Sequence, residues 1–208
     1  MGATGPSLEQ LKGTALFHRL EEFGRERSFE ETHALKVTDI ALQLFDGLVP
    51  LHGMSDGERM LLLSAAMLHD IGMCKGIRGH HKSSLDIIMA GDLHPLSDGE
   101  RRMVASIARY HRKAHPRRKH DHFSALKEDQ QVLVSRMASI LRMADALDRS
   151  HQSAVSSVDV EISSRKIKIR ATSARELSLE QDALRKKGML FEELFGLKPS
   201  IEAVRPQV

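Results

Sequence analysis

The 208-residue sequence has no tryptophan, one tyrosine and one cysteine. A lone cysteine, Cys74, excludes an intramolecular disulfide, and with it a fold held by bridges. The shortage of aromatic rings argues against a platform that stacks nucleic-acid bases. No apolar run is long enough to span a bilayer, and the N-terminus shows no secretory signal. Met1-Gly2-Ala3-Thr4-Gly5-Pro6 fails the myristoylation pattern, because Pro6 stands where Ser or Thr is needed. A strong charge of one sign is missing too: the net charge is +3. That balance suits an anionic substrate but is too weak to imply a specific nucleic acid. These absences lead to the expectation of a soluble, cytoplasmic protein with no membrane partner.

Hydrophobic residues make up 41% and charged residues 28% of the chain, enough apolar material for a real core. The length fits one domain, or one domain with a small appendage. The stretch around which the chain is organised is Ala65-Ala66-Met67-Leu68-His69-Asp70-Ile71-Gly72. The run from Met60 to Leu68 is apolar except for Ser64, so it predicts a central buried helix. An imidazole and a carboxylate at its end are costly unless something satisfies them.

In chain order, residues 1–6 read as a loose end. Leu8 to Phe23 has helical periodicity, with Gly24 as its stop. Capping-box spacing appears at Ser28/Glu31, Ser55/Glu58 and Ser97/Glu100. The helix after Ser28 carries Val37, Ala41, Leu44, Phe45 and Leu48 on one face, and His33 begins that stripe. Gly72 to Gly79 is a glycine-punctuated loop leading to His80-His81-Lys82 and a helix through Ile88. His111 ends the apolar face of the helix after Ser97, and residues 112–122 form a basic loop. A long helix from about Glu128 to His151 sets Asp145 and Asp148 on its apolar stripe. Then Val158, Val160 and Ile162 alternate with polar residues, as do Ile167, Ile169 and Ala171, which predicts a hairpin. A helix from about Ser178 to Phe195 and a strand-like Ser200–Val204 follow. The expected fold is mainly α: a helical metal-binding domain over 1–153 with a small ββαβ appendage over 154–208 packed on it. The appendage shows no chemistry.

Five separate elements therefore present a metal-type ligand on a buried face or at a helix end: His33; His69 with Asp70; His81; His111; and Asp145. Either His80 or His81 can turn inward; His81 shares a face with Leu85 and Ile88, so spacing favours it. Four His and two Asp suit Mn, Fe, Co, Ni or Zn, with Mg also admitted. Six side chains suit two divalent ions at roughly 3.5–4 Å, bridged by a carboxylate, with Asp70 as the natural bridge. Each residue alone has a bland reading as a satisfied core group; the joint pattern would strand many polar groups in one core. Cys74, close behind the His-Asp pair, reads as buried near the site.

The order His33, His69-Asp70, Asp145 resembles the HD superfamily of metal-dependent phosphohydrolases. The blocks Leu68-His69-Asp70-Ile71-Gly72, Gly79-His80-His81-Lys82-Ser83, Arg109-Tyr110-His111-Arg112-Lys113 and Leu141–Ser150 are similar to the C-terminal HD region of exopolyphosphatase/guanosine pentaphosphate phosphohydrolase proteins. The resemblance implies an HD-type helical bundle. It implies His33, His69, Asp70 and Asp145 as the defining ligands, with His81 and His111 supplying a second metal. In full-length members of that family the polyphosphate chemistry belongs to actin-like N-terminal domains, which this sequence lacks. The complete ligand set here favours a working metal site.

The leading expectation is a phosphohydrolase using one or two divalent ions, in which a metal-activated hydroxide attacks a phosphate ester or anhydride of a small nucleotide or polyphosphate-like substrate. Asp70 sits at its centre, and Lys82, Arg112, Lys113, Arg142 and Arg149 are the cations expected to meet phosphoryl oxygens. Two rivals stand beside it. One is a non-catalytic nucleotide- or polyphosphate-binding or dimerising module that partners separate actin-like phosphatase domains. The other is a di-iron oxygenase, since a few HD-fold proteins use these ligand types for O₂. The apolar residues of the helix Ser178–Phe195 can pack on their own sheet, the favoured reading, or on a second subunit, which would make a homodimer.

Overall fold

The structure, a computed structural model, describes residues 5–206. Most of the loose end expected at residues 1–6 lies outside those residues. Among the described residues the chain forms ten α-helices, one 3-10 helix and one three-stranded sheet. It is mainly α with a small sheet near the C-terminal end, as the apolar spacing predicts.

The first amphipathic stretch is two helices, α1 (Leu8–Leu11) and α2 (Ala15–Arg25). Thr14 makes the break: its hydroxyl donates to the Leu11 carbonyl at 2.8 Å and accepts from the Phe17 N–H at 3.3 Å. Gly24 does not stop α2. It lies inside the helix under the Phe29 ring, where a Cβ would stand 2.9 Å from the ring carbons. The first expected capping box is also absent. Glu31 gives its carboxylate to Arg25 at 3.0 and 2.7 Å, and Ser28 takes a left-handed backbone with φ 53°. The boxes at Ser55 and Ser97 form as expected, with the Glu58 and Glu100 carboxylates accepting the serine N–H at 2.7 and 2.8 Å.

Four helices enclose the core: α3 (Glu31–His52), α4 (Asp56–Leu68), α6 (Asp98–Arg109) and α8 (Glu128–Leu147). From Leu61 to Leu68 every residue of α4 is buried, so α4 is the central post. Each of its other three partners packs against it. Its one buried charge, Arg59, is held bidentately by Asp46 of α3 at 2.7 and 2.9 Å. After α4 the expected loop contains a 3-10 helix (Ile71–Lys75), then α5 (His80–Ala90), which packs on α6. Cys74 in this segment is exposed, not buried. A short α7 (Asp121–Ser124) follows the basic loop.

Gly72 sets the distance between the 3-10 helix and α5. A Cβ there would lie 2.1 Å from the His80 carbonyl oxygen and 2.5 Å from the Ser84 nitrogen. Ser84 closes the joint: its hydroxyl accepts the Gly72 N–H at 2.9 Å and donates to the His69 carbonyl at 2.8 Å. His69 and His80 are thereby clamped together by backbone contact that tolerates no side chain.

The C-terminal part starts with strands β1 (Ser157–Ile162) and β2 (Lys166–Thr172), the expected antiparallel hairpin, with Val160 opposite Ile169. The expected single helix is two, α9 (Ser178–Lys187) and α10 (Met189–Phe195). They break at Gly188, where a Cβ would stand 2.4 Å from the Pro199 ring. Strand β3 (Lys198–Val204) then pairs parallel with β2, giving the order β1-β2-β3. β1 reaches α3 through Gly47, against which Val160 lies, and Gln43 accepts the Val158 N–H at 2.8 Å. α9 packs along α8. Among the described residues no single helix is long and apolar enough to cross a membrane.

Two outcomes follow. Gly72→Ala forces α5 off the 3-10 helix, so urea unfolding should show a loss of about 1–3 kcal/mol, the usual cost of overpacking a tight contact. His52 is buried with Nε2–H donating to the Phe45 carbonyl at 2.9 Å and Nδ1 accepting the Met54 N–H at 2.9 Å, an arrangement that requires the neutral ring. Burial first, and Arg136 after it, lower its pKa. The unfolded chain therefore binds a proton that the folded chain refuses. Stability from this group is complete above about pH 6.5 and is lost as pH falls below it. The urea midpoint of His52→Gln should drop less than that of the parent between about pH 7.5 and pH 5.

Candidate metal centre

Helix ends meet at one place. The C-terminal ends of α4, α6 and α8 bring His69, His111 and Asp145; the N-terminal ends of α3 and α5 bring His33 and His80. Three C-termini direct partial negative charge toward that place and favour a cation there. His33, His69, His80 and His111 are all buried, while the Asp70 side chain keeps 24% of its exposure and forms the solvent-facing edge.

Each of the four histidines has its Nδ1 occupied. His69 Nδ1 bonds the Ala66 carbonyl at 2.7 Å, His111 Nδ1 the Ala108 carbonyl at 2.7 Å, and His80 Nδ1 the Ile77 carbonyl at 2.9 Å. The same step of three residues recurs because each ring folds back on the turn before it. A carbonyl only accepts, so Nδ1 carries the proton and Nε2 the lone pair. His33 Nδ1 bonds Asp148 Oδ2 at 2.8 Å, and Asp148 Oδ1 accepts the Ser153 N–H at 2.9 Å. His151 stacks on the His33 ring, with centroids 3.8 Å apart.

The Nε2 atoms converge. His80 and His111 Nε2 lie 3.0 and 3.2 Å from Asp70 Oδ1 and 3.4 Å from each other. His69 Nε2 is 3.7 Å from Asp70 Oδ2, and His33 Nε2 is 3.8 Å from Asp145 Oδ1. Among the described residues two groups could hold a metal ion, His33/His69/Asp70 and Asp70/His80/His111, each with its ligand atoms within 4.8 Å of one another. Asp70 belongs to both. His33 Nε2, His69 Nε2 and Asp70 Oδ1 are buried without a hydrogen-bond donor–acceptor partner. Lone pairs left facing one another in a buried site, on nitrogen and oxygen donors of this type, fit a divalent transition metal.

Burial alone would raise the Asp70 carboxyl, but His69, His111 and His80 outweigh it and hold it well below the usual carboxylate range. Burial would likewise raise Asp145, and the Lys187 ammonium, with His69 and His111, overrides it. Burial pushes His69 down to about 4 against the pull of Asp70, so the ring is neutral and its Nε2 is open. Burial also disfavours charge on His33, yet the bond to Asp148 and the nearby Asp145 raise its pKa.

Of the residues singled out in the sequence, His33, His69, Asp70 and His111 come together, with Asp145 beside His33. At the start of α5 it is His80 that enters the cluster. His81, favoured by spacing, lies next to it outside both groups, with its ring 6.4 Å from that of His111 and its Nδ1 without a partner. Arg112 reaches the site and donates to His80 Nε2 at 3.2 Å. Arg142 does not: it donates to the Lys187 carbonyl at 3.2 Å and the Tyr110 carbonyl at 3.0 Å. Lys82, Lys113 and Arg149 are exposed, outside both groups. Two functional neighbours were not assigned to the site from the sequence. Lys187, at the end of α9, contacts Asp145, and Asp148 orients His33. Asp148 left a signal as a carboxylate on an apolar stripe; Lys187 left none.

A family model described as Ppx/GppA phosphatase, domain III, matches residues 19–195. No curated protein matches the chain.

Asp148→Ala removes the acceptor that orients His33 without touching the ligand atoms themselves. Metal affinity, read by competition with a chromogenic chelator, should fall about 10- to 100-fold.

Proposed function

The chain belongs to the Ppx/GppA phosphatase, domain III family, and on that premise we propose that it is an HD-type metal-dependent phosphohydrolase acting on a phosphate ester or anhydride of a nucleotide or polyphosphate-like substrate. The observation that carries this reading is the convergence of four Nε2 lone pairs on Asp70, each fixed by a bond at Nδ1. One or two divalent ions bound there would supply Lewis acidity toward phosphoryl oxygens and a water of lowered pKa.

The chain's own residues do the rest. His33, His69, His80 and His111 present preset lone pairs, so little reorganisation accompanies ligation. Asp70, ionised and shared by both groups, would supply negative charge to whatever ions they hold. Asp145, ionised beside Lys187 and next to His33, would be a further ligand. Arg112 stands at the solvent edge beside His80, where its guanidinium can take two phosphoryl oxygens and stabilise charge as it spreads over them. Lys187, against Asp145, places a second cation at the site. We take the residues before 154 as the metal-binding part, the chain as cytoplasmic, and the apolar residues Leu179, Met189 and Leu194, exposed on α9 and α10, as the face of a homodimer.

A second reading is favoured by one observation: the matching family is described as the third domain of a phosphatase. Under it, the same cluster binds a nucleotide or polyphosphate without turnover and serves actin-like domains on another chain.

The test is a purified protein loaded separately with Mn, Fe, Co, Ni, Zn or Mg and offered phosphomonoesters, phosphodiesters, nucleotides and polyphosphate. The expected result is turnover of at least one class, abolished by EDTA and reduced by about 10²-fold or more in Asp70→Asn. Metal content should be one or two ions per chain. Tight polyphosphate binding with no turnover under any metal would establish the binding module instead, and mixed-valence iron after aerobic purification would point to oxidation.

A further inference from the structure

Asp145 uses its two carboxylate oxygens differently. Oδ1 faces His33 Nε2 at 3.8 Å, on the side of the metal centre, whereas Oδ2 takes the ammonium of Lys187. The Asp145 side chain keeps 9% of its exposure and that of Lys187 keeps 19%, so water screens the contact little. Among the described residues Lys187 is the one lysine or arginine paired with this carboxylate. Pinning a lysine forfeits much of its rotamer freedom. Here α8 holds the residue at both ends. Arg142, three residues before Asp145 and so near it on one face of α8, donates Nε–H to the Lys187 carbonyl at 3.2 Å, and Asp145 takes the Nζ. The other arm of Arg142 donates to the Tyr110 carbonyl at 3.0 Å, one residue before His111. Lys187 is also the last residue of α9, and the Pro199 ring closes against Gly188 behind it. Backbone and side chain together deliver one ammonium to one oxygen of one carboxylate.

A carboxylate can serve a metal ion with one oxygen or with both. With both, it takes two coordination positions instead of one. A site that does chemistry keeps a position open for solvent or substrate. The centre is already rich in donors, with four preset Nε2 lone pairs and Asp70 shared between two groups. A second oxygen from Asp145 would crowd it further. The ammonium on Oδ2 engages the lone pairs that a second metal–oxygen bond would need, and it leaves Oδ1 turned toward His33.

We propose that Lys187 is a positioning residue: it restricts Asp145 to a single oxygen toward the metal centre and so keeps a coordination position free for solvent or an incoming ligand. The segment after the hairpin thereby sets the coordination number of an ion held by the helical part. This role of Lys187 rests on the reading of the cluster as a metal centre, not on hydrolysis.

The full chain is loaded with Co²⁺ and the ion is followed by its visible absorption, which weakens per bound ion as the coordination number rises. Imidazole is then titrated in as a probe of the open position; being neutral, it does not respond to a lost ammonium as an anion would. Lys187→Met should bind cobalt, absorb more weakly per ion than the parent, and take imidazole about 10-fold or more weakly, the scale on which outer partners of a metal ligand act. Lys187→Arg, which keeps a cationic donor for Oδ2, should return both readings toward the parent. Equal absorption and equal imidazole affinity in the parent and Lys187→Met overturn the proposal. So does a Lys187→Arg no closer to the parent than Lys187→Met, since Lys187 would then act by packing alone. Urea unfolding reports whether Lys187→Met is folded; if it is not, Lys187→Gln is read in its place against the same outcomes. A parent that binds no cobalt overturns the metal-centre reading and this role with it. Cobalt binding without turnover of any phosphate refutes hydrolysis and leaves the role of Lys187 to be decided by the two readings above.

Discussion

The structure depends on one repeated bond: an Nδ1–H given to an oxygen on the outer side of each buried imidazole. Without it, four buried imidazoles in an apolar core would choose tautomers and rotamers to satisfy themselves, and some Nε2 atoms would carry protons. With it, the tautomer is set before any ligand arrives, and every lone pair points inward. Three of the four acceptors are main-chain carbonyls three residues back: Ala66, Ile77 and Ala108. Those carbonyls belong to the turn that precedes each histidine, so placing the ring at a helix end supplies both the geometry and the acceptor. The fourth acceptor, Asp148, does by side chain what the others do by backbone.

This explains why the site sits where helices end and why the fold tolerates so little at their joints. A histidine in mid-helix has its neighbouring carbonyls committed to the ladder, whereas the last turn has carbonyls to spare. The cluster therefore needs helix ends brought within a few ångströms of one another, which in turn needs close backbone approach. Gly72 under the His80 carbonyl and the Ser84 hydroxyl between Gly72 and His69 meet that need. The apolar run of α4 anchors the arrangement from behind, since Leu61 to Leu68 are buried on every side.

Much of this was legible in the sequence, and the limits are instructive. Apolar periodicity located the helices, and a carboxylate or imidazole interrupting an apolar face flagged His33, His69, Asp70, His111 and Asp145. Periodicity answered the wrong question at His80 and His81. Both are buried, and His81 does follow the face of Leu85 and Ile88, but the cluster lies off the end of α5, where the first residue reaches it. Likewise, Arg142 has the right spacing from Asp145, yet its guanidinium meets two carbonyls that no side-chain pattern reveals. Capping boxes were read correctly where the glutamate had no competitor and failed at Ser28, where Arg25 claims Glu31. Contacts between distant segments, Lys187 with Asp145 above all, leave no local trace.

That last contact changes the standing of the C-terminal segment, which offered no chemistry as sequence. Asp145 is buried and ionised, a state that needs a cation. Lys187 provides one, and Arg142 holds it in place by binding its carbonyl while holding the Tyr110 carbonyl with the same guanidinium. One arginine thus ties the end of α9 to the turn that delivers His111. The short helix α9 ends there because Gly188 lets Pro199 of β3 close over the break, so the parallel strand fixes where Lys187 stops. Sheet, helix break, arginine and lysine form a single chain of support that terminates on a carboxylate of the cluster. The charge balance of the helical part is completed by the segment that follows it.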